Sequence, residues 1–307
     1  MAAHNVQTKR DFVKILQYVG EGDSVTTPSL YAGAAIRADT SFTAVGKVSD
    51  INLQPDIQHL DTEILGNEDI VDSVKTGEMF AFQITFQMRD TALINYAFSA
   101  SGGGVGSIDE SLTFTFSERL DGAEFITAMY GCRPTSCTCT LDKGEWNANM
   151  TFICKEITLP VAIASSPFTG TPVFVSEPGT AAMSHSGAGA DPLTWNAVTY
   201  PESRFSTTVT RGMAIQSVNG ELKIVYCKAS TRRIEFSFDA FIKAVTLETD
   251  YQNKTERSAG YSISTSPNKD FAFTECVITS HSRQKTASNT DAFRESVTAR
   301  AGGVSII

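Results

Sequence analysis

The sequence predicts a mainly β protein with two tandem β-sandwich or half-barrel domains, each carrying one short flanking helix. Three observations predict it. Phe80–Met88 alternates without a fault: Phe80, Phe82, Ile84, Phe86 and Met88 fall on one face, and Ala81, Gln83, Thr85 and Gln87 on the other. That is the period of a half-buried strand. Runs of this kind dominate the chain, while helical spacing is confined to short stretches. The order of elements in the first half also recurs after residue 192. The expected division is 1–158 for the first domain with an N-terminal arm, 159–191 for a linker or surface excursion, and 192–307 for a second, reduced domain.

Taken in order, Leu30–Arg37 and Thr43–Leu53 are predicted strands, the second running on toward Ile64. A polar loop bounded by Gly66 and Gly77 follows, longer than the two to five residues of a tight hairpin. After the Phe80–Met88 strand, Asp90 is placed to cap a helix whose Leu93, Ile94, Ala97 and Phe98 share one side. Ser101–Ser107 is Gly-rich but lacks the preceding strand and following Lys-Ser/Thr of a phosphate loop, so it reads as a flexible connection. In Ser111–Ser117, Leu112, Phe114 and Phe116 point inward and Thr113, Thr115 and Ser117 outward. Phe125–Leu141 and Asn147–Ile157 make a hairpin about the turn Asp142–Glu145. Residues 159–191 are rich in Pro, Gly, Ser and Ala and have no sustained period.

In the second half, Pro192–Tyr200 stands where Pro28–Ile36 stood, and Thr207–Leu222 where Phe42–Ile57 stood. Ile234–Ile242 echoes Phe80–Met88, and Phe271–Ala301 echoes Phe125–Glu156. Cys227–Thr231 takes the place of the Gly66–Gly77 loop, so the fold is expected to close without that loop.

Composition narrows the function classes. A net charge of −9 argues against tight non-specific binding of DNA, which needs clustered Lys and Arg. The N-terminal segment has no long apolar core, so no secretory signal is expected, and no apolar run approaches a membrane span. Six cysteines are too few for a disulfide scaffold. Cys137 and Cys139 share a strand face, and Cys154 is expected opposite Arg133, so a four-thiolate zinc site is not expected and free buried thiols are. His4, His59, His185 and His281 have no metal-ligand spacing. Asp61 and Glu63 fit a solvated strand edge as well as a carboxylate pair, and Arg232–Arg233 reads as a charge pair in a turn. No nucleophile or acid–base set is visible, so neither enzyme activity nor a cofactor is expected. The outward faces of the clearest strands are neutral and polar instead. Such a face suits water or a cavity wall that binds nothing tightly.

From Gly46, "GKVSDINLQPDIQHLDTEILGNEDIVDSVKTGEMFAFQITFQMRDTALINYAFS" resembles the central block of the tail tube (major tail) proteins of long-tailed viruses of bacteria and archaea. It has a strand, a loop with Gly-x-x-Asp and a following Lys (Gly66, Asp69, Lys75), an alternating strand and a short helix. Phe125–Ile157 resembles the family's closing strands. The resemblance covers most of residues 30–158 and, more faintly, 192–304. It implies a β-sandwich-like domain, six of which extend their sheets side by side into a ring around a genome channel. Rings stack through the long loop and terminal arms. A doubled chain implies a trimeric ring that imitates a hexamer; the second arrangement is a hexamer with the second half as outward decoration. The resemblance assigns Gly66, Glu68, Asp69, Asp72, Lys75 and Gly77 to ring stacking, and Gln83, Thr85 and Gln87 to the lumen. Implied partners are other copies of the chain, viral DNA passing through without specific binding, and tape-measure and tail-tip proteins. The place is a virion tail assembled in the host cytoplasm, without a membrane. Two alternatives stay open. One is the inner tube of a contractile injection or secretion system. The other is a glycan-binding β-sandwich decoration protein, which would expose Trp146 and Trp195.

Overall fold

Alternating runs become strands across the whole chain. The computed structural model describes residues 11–20, 42–63, 70–99, 111–120, 123–142, 144–157, 161–162, 183, 193–216, 226–241, 245–265, 268–284 and 294–307. It is mainly β: one large antiparallel sheet with two short helices, α1 (Ala92–Phe98) and α2 (Thr246–Asn253). The two Leu30–Arg37 and Ser101–Ser107 readings lie outside the described residues.

Eight strands run in the order β3 (Lys47–Glu63), β4 (Ile70–Gln87), β7 (Glu145–Cys154), β6 (Ala123–Asp142), β12 (Glu202–Gln216), β13 (Tyr226–Phe241), β16 (Arg294–Ala301) and β15 (Asn268–Gln284), each antiparallel to the next. Two of them, β6 and β15, are long enough to continue into further layers. The first half of β6 pairs with β5 (Leu112–Leu120), β8 (Glu156–Ile157) and β9 (Val161–Ala162). β5 pairs in turn with β1 (Asp11–Gly20), and β1 with β2 (Thr43–Ala44). The first half of β15 pairs with β14 (Arg257–Thr265) and β17 (Gly303–Ile306), and β14 with β10 (Leu193–Trp195), which pairs with β11 (Val198–Tyr200).

The core lies between these layers. Phe82, Phe114 and Phe152 meet with ring centroids 4.8–5.1 Å apart, and Phe205 stacks on Tyr261 at 3.8 Å. Fully buried aromatic side chains of this size supply most of the apolar area that holds such a fold. The indole N–H of Trp146 donates to the carbonyl of Ile263 at 2.9 Å, tying the first half of the chain to the second. From the expected excursion 159–191, Met183 is buried: its N–H donates to Met88 O and its carbonyl accepts from Trp146 N–H.

Several expectations hold. Phe82, Ile84, Phe86 and Met88 are buried, and so are Leu93, Ile94, Ala97 and Phe98 of α1. β6 and β7 form the expected hairpin, with Asp142 opposite Glu145 and Gly144 at φ +84°, the left-handed conformation such a tight turn favours in glycine. Others are corrected. The segment bounded by Gly66 and Gly77 is not one loop: β4 begins at Ile70, and β3 and β4 pair as far as Glu63 opposite Ile70. Thr113, Thr115 and Ser117 do not face outward but are buried, because β5 is covered on both faces. Ile153, not Cys154, lies opposite Arg133, because a bulge between Pro134 and Ser136 shifts the register. The helix starts after Thr91; Asp90 Oδ1 still accepts the Ala92 N–H at 2.9 Å. Arg232 and Arg233 lie inside β13, not in a turn. Cys227–Thr231 is also β13, paired with β12, and not a substitute for a loop.

Candidate functional site: the polar face of the eight-stranded sheet

One face of the eight-stranded sheet carries the core; the other presents polar residues in rows. A row can be followed strand by strand from the register. Asp50, Thr85, Asn149, Thr138, Thr208, Glu235, Arg300 and Val277 lie opposite one another in turn. The next row is Lys47, Gln87, Asn147, Thr140, Ser206, Ser237, Thr298 and Ser280. Period-two alternation puts every one of these on the side opposite Phe82, Phe152, Phe236 and their neighbours.

The polar side chains are largely satisfied by one another. Gln83 Nε2 donates to Asn149 Oδ1 at 2.7 Å, and Asn149 Nδ2 donates to Thr85 Oγ1 at 2.9 Å. Gln87 Nε2 donates to Glu145 Oε2 at 2.5 Å. Where β6 meets β12, the Thr138 and Thr208 hydroxyls lie 3.0 Å apart, and those of Thr140 and Ser206 3.4 Å apart. Ser296 donates to Asp239, and the Arg233 guanidinium pairs with Glu235 at 2.5 Å. A groove of 590 Å³ crosses this face, lined by Thr140, Asp142, Arg204, Ser206, Ser237, Asp239, Ser296 and Thr298 among others.

Among the described residues this face carries charges of both signs, with Arg133 also on it opposite Ile153. Asp50, Asp142, Glu145, Glu235 and Asp239 share it with Lys47, Arg204, Arg233, Arg294 and Arg300. A polyanion meets neither a strong barrier nor a trap on such a surface. Sequence reasoning found Gln83, Thr85 and Gln87, which are half-buried on this face. It missed Asn149, Thr138, Thr208, Glu235 and Asp239. The signal was available, because Ser136–Thr140, Asn147–Thr151 and Ser206–Thr210 alternate in the same way. Among the stacking candidates, Asp72, Lys75 and Gly77 lie in β4, opposite Thr62, His59 and Gln58. Gly66, Glu68 and Asp69 lie outside the described residues.

Both long hairpins run past the sheet. β4 pairs with β7 only as far as Phe80, so Asp56–Glu63 and Ile70–Met79 continue as a two-stranded ribbon of about 25 Å at ~3.3 Å per residue. β12 and β13 do the same beyond Thr210 and Ile234, out to Gln216 opposite Tyr226.

Among the described residues no group of His, Cys, Asp and Glu is placed to hold a metal ion, and no helix is long and apolar enough to cross a membrane. All six cysteines are buried free thiols, as expected. Burial pushes the Cys276 thiol up to about 12 and raises Cys137 as well, which keeps both as neutral packing groups. Trp146 and Trp195 are fully buried, with their N–H groups on Ile263 O and Asp250 Oδ2, so neither is exposed for stacking on a sugar. No family model matches this chain, and no curated protein matches it.

Proposed function

We propose that the chain is a duplicated tail tube subunit, which polymerises as stacked rings into the hollow tube that conducts a viral genome. The observation that carries this reading is the seam between β6 and β12. It joins two segments whose pairing schemes coincide. β3–β4–β7–β6 and β12–β13–β16–β15 have the same order and direction, each with a helix after its second strand. Leu53 opposite Phe82 corresponds to Thr207 opposite Phe236, since 207 − 53 and 236 − 82 are both 154. Bulges recur at the same places. Thr135 and Thr279 are each bulged, and each donates its hydroxyl 3.1 Å to a carbonyl across the hairpin, Thr151 O and Thr298 O. Met129 opposite Ile157 corresponds to Phe273 opposite Val304. Bulges mark positions in a fold, so shared bulges support two copies of one domain, with 1–158 and 192–307 as the copies and 159–191 as the connection. The matching residues for Thr207–Leu222 are 53–68, not 42–57; a period-two pattern tolerates such slips.

In this reading the chain contributes eight strands to a closed wall, and three chains imitate six subunits. The self-satisfied face of mixed charge with Gln83, Thr85 and Gln87 lines the lumen, where it lets DNA slide. The two ribbons contact the next ring, the first through Asp72, Lys75 and Gly77 of β4 and through the residues Gly66, Glu68 and Asp69 that precede β4 in the sequence. Negative-stain microscopy of the purified protein tests the class. Hollow tubes of three-fold rings are expected, and a protein that stays monomeric at every concentration would overturn it. Replacing residues 64–69 by a two-residue turn leaves β4 paired with β7 and is expected to give rings without tubes. Tubes of ordinary length from that variant would remove the stacking role.

A further inference from the structure

Among the described residues, β3 pairs only with β4, and the Val277–Gln284 part of β15 pairs only with β16. These are the two open edges of the eight-stranded sheet. An exposed edge is a template for another strand, and a folded protein either blunts it or uses it. The chain also contains a finished example of how such edges join. In the β6–β12 seam, Cys139 lies opposite Thr207, Thr138 opposite Thr208 and Cys137 opposite Val209.

Resting on the tube reading above, we infer that β3 of one copy pairs antiparallel with β15 of a second copy in the register of the internal seam, so that Leu53 faces Arg283, Gln54 faces Ser282 and Pro55 faces His281. The register follows by arithmetic. β12 maps on β3 by 154 residues, which turns Thr207, Thr208 and Val209 into Leu53, Gln54 and Pro55. β6 maps on β15 by 144 residues, from Thr135 and Thr279, which turns Cys139, Thr138 and Cys137 into Arg283, Ser282 and His281. Joining the second half of one copy to the first half of another makes a heterologous contact, and such contacts close into rings when the rotation allows.

The two seams are not interchangeable. The internal one brings small thiols against Thr207 and Val209. The external one brings an ionic cluster, in which His281 Nε2 stands 3.3 Å from Glu295 Oε2 and Arg283 Nε donates to Glu295 Oε1 at 2.9 Å. His281 Nε2 and Glu295 Oε2 are buried there without a hydrogen bond. Pro55 has no N–H to donate, which blunts β3 against indiscriminate pairing.

Two single variants test the register. Gln54 and Ser282 are both exposed, so Gln54→Cys and Ser282→Cys leave the fold intact, and the six native thiols are buried. Mixed and oxidised under assembly conditions, the two variants are expected to give a disulfide dimer, and neither alone should. Asn52→Cys mixed with Ser282→Cys is the diagonal control, and the direct pair is expected to react at least ~10-fold faster because only it lies within disulfide reach. Rings with equal or faster reaction at the diagonal pair, or disulfide dimers from Gln54→Cys alone, would overturn the register and leave the tube reading standing. No assembly of the wild-type chain in the same conditions would overturn both.

Discussion

Beneath α1 the sheet presents Cys137, Cys139 and Ala148, all buried. Beneath α2, at the corresponding positions, it presents His281, Arg283 and Glu295. The helices differ to match. Ile94 of α1 is fully buried, whereas its counterpart Glu248 in α2 reaches Arg283 Nη1 at 2.6 Å. α1 is enclosed on most sides, because the second half of the chain closes over it. Arg211 donates to Ala97 O at 2.9 Å and to Ser99 O, and Arg232 donates to Phe98 O at 2.9 Å. These guanidinium groups satisfy the carbonyls that a helix end leaves without partners. α2 has no such cover among the described residues, and Val245 at its start and Tyr251 within it are exposed. One backbone arrangement therefore supports two chemistries. The enclosed position uses apolar packing, which needs only volume. The open position uses ion pairs, which need a partner for every atom.

The largest effect should come from importing one chemistry into the other. Ala148→Glu places a charge where no base is available and is expected to cost more than about 4 kcal/mol, enough to abolish cooperative urea unfolding of soluble protein. Glu295→Ala should cost less, about 2–3 kcal/mol, because it strands Arg283 and His281 but Arg283 can still turn toward water. An equal loss from the two substitutions, read as urea midpoints, would break the comparison. Arg211→Met keeps the stem and removes the donors to α1, for an expected loss of about 1.5–3 kcal/mol. Reduced hydrogen-exchange protection confined to α1 and its neighbours would sharpen the assignment. Arg233→Ala removes the exposed pair with Glu235 and is expected to stay within about 0.5 kcal/mol of wild type.

Strands that carry one buried face were legible, because burial of one face writes alternation into the sequence. Phe80–Met88 and the β6–β7 hairpin are of that kind. The strand Ile70–Met79 was not, because its sequence mixes charges with a glycine and carries no sustained alternation. β5 misled in the opposite way. Its hydroxyls look solvent-facing but are buried, with Thr115 Oγ1 accepting from Gln17 Nε2 at 3.2 Å and Ser117 Oγ donating to Glu124 Oε1 at 2.7 Å. Polarity reports a need for hydrogen bonds, which the protein itself can meet. The polar face was read at three residues of one strand, because the seam that extends it across eight strands joins residues about seventy apart in sequence. No local pattern encodes a contact of that range.

Because the β6–β12 seam lies within a single chain, its formation is a first-order event. Any seam between chains obeys mass action and weakens on dilution, whereas this one keeps the effective concentration set by the covalent connection. Dilution can therefore take an assembly no further down than an eight-stranded arc. Half of the lateral contacts in any ring of such chains would already be made when each molecule finished folding.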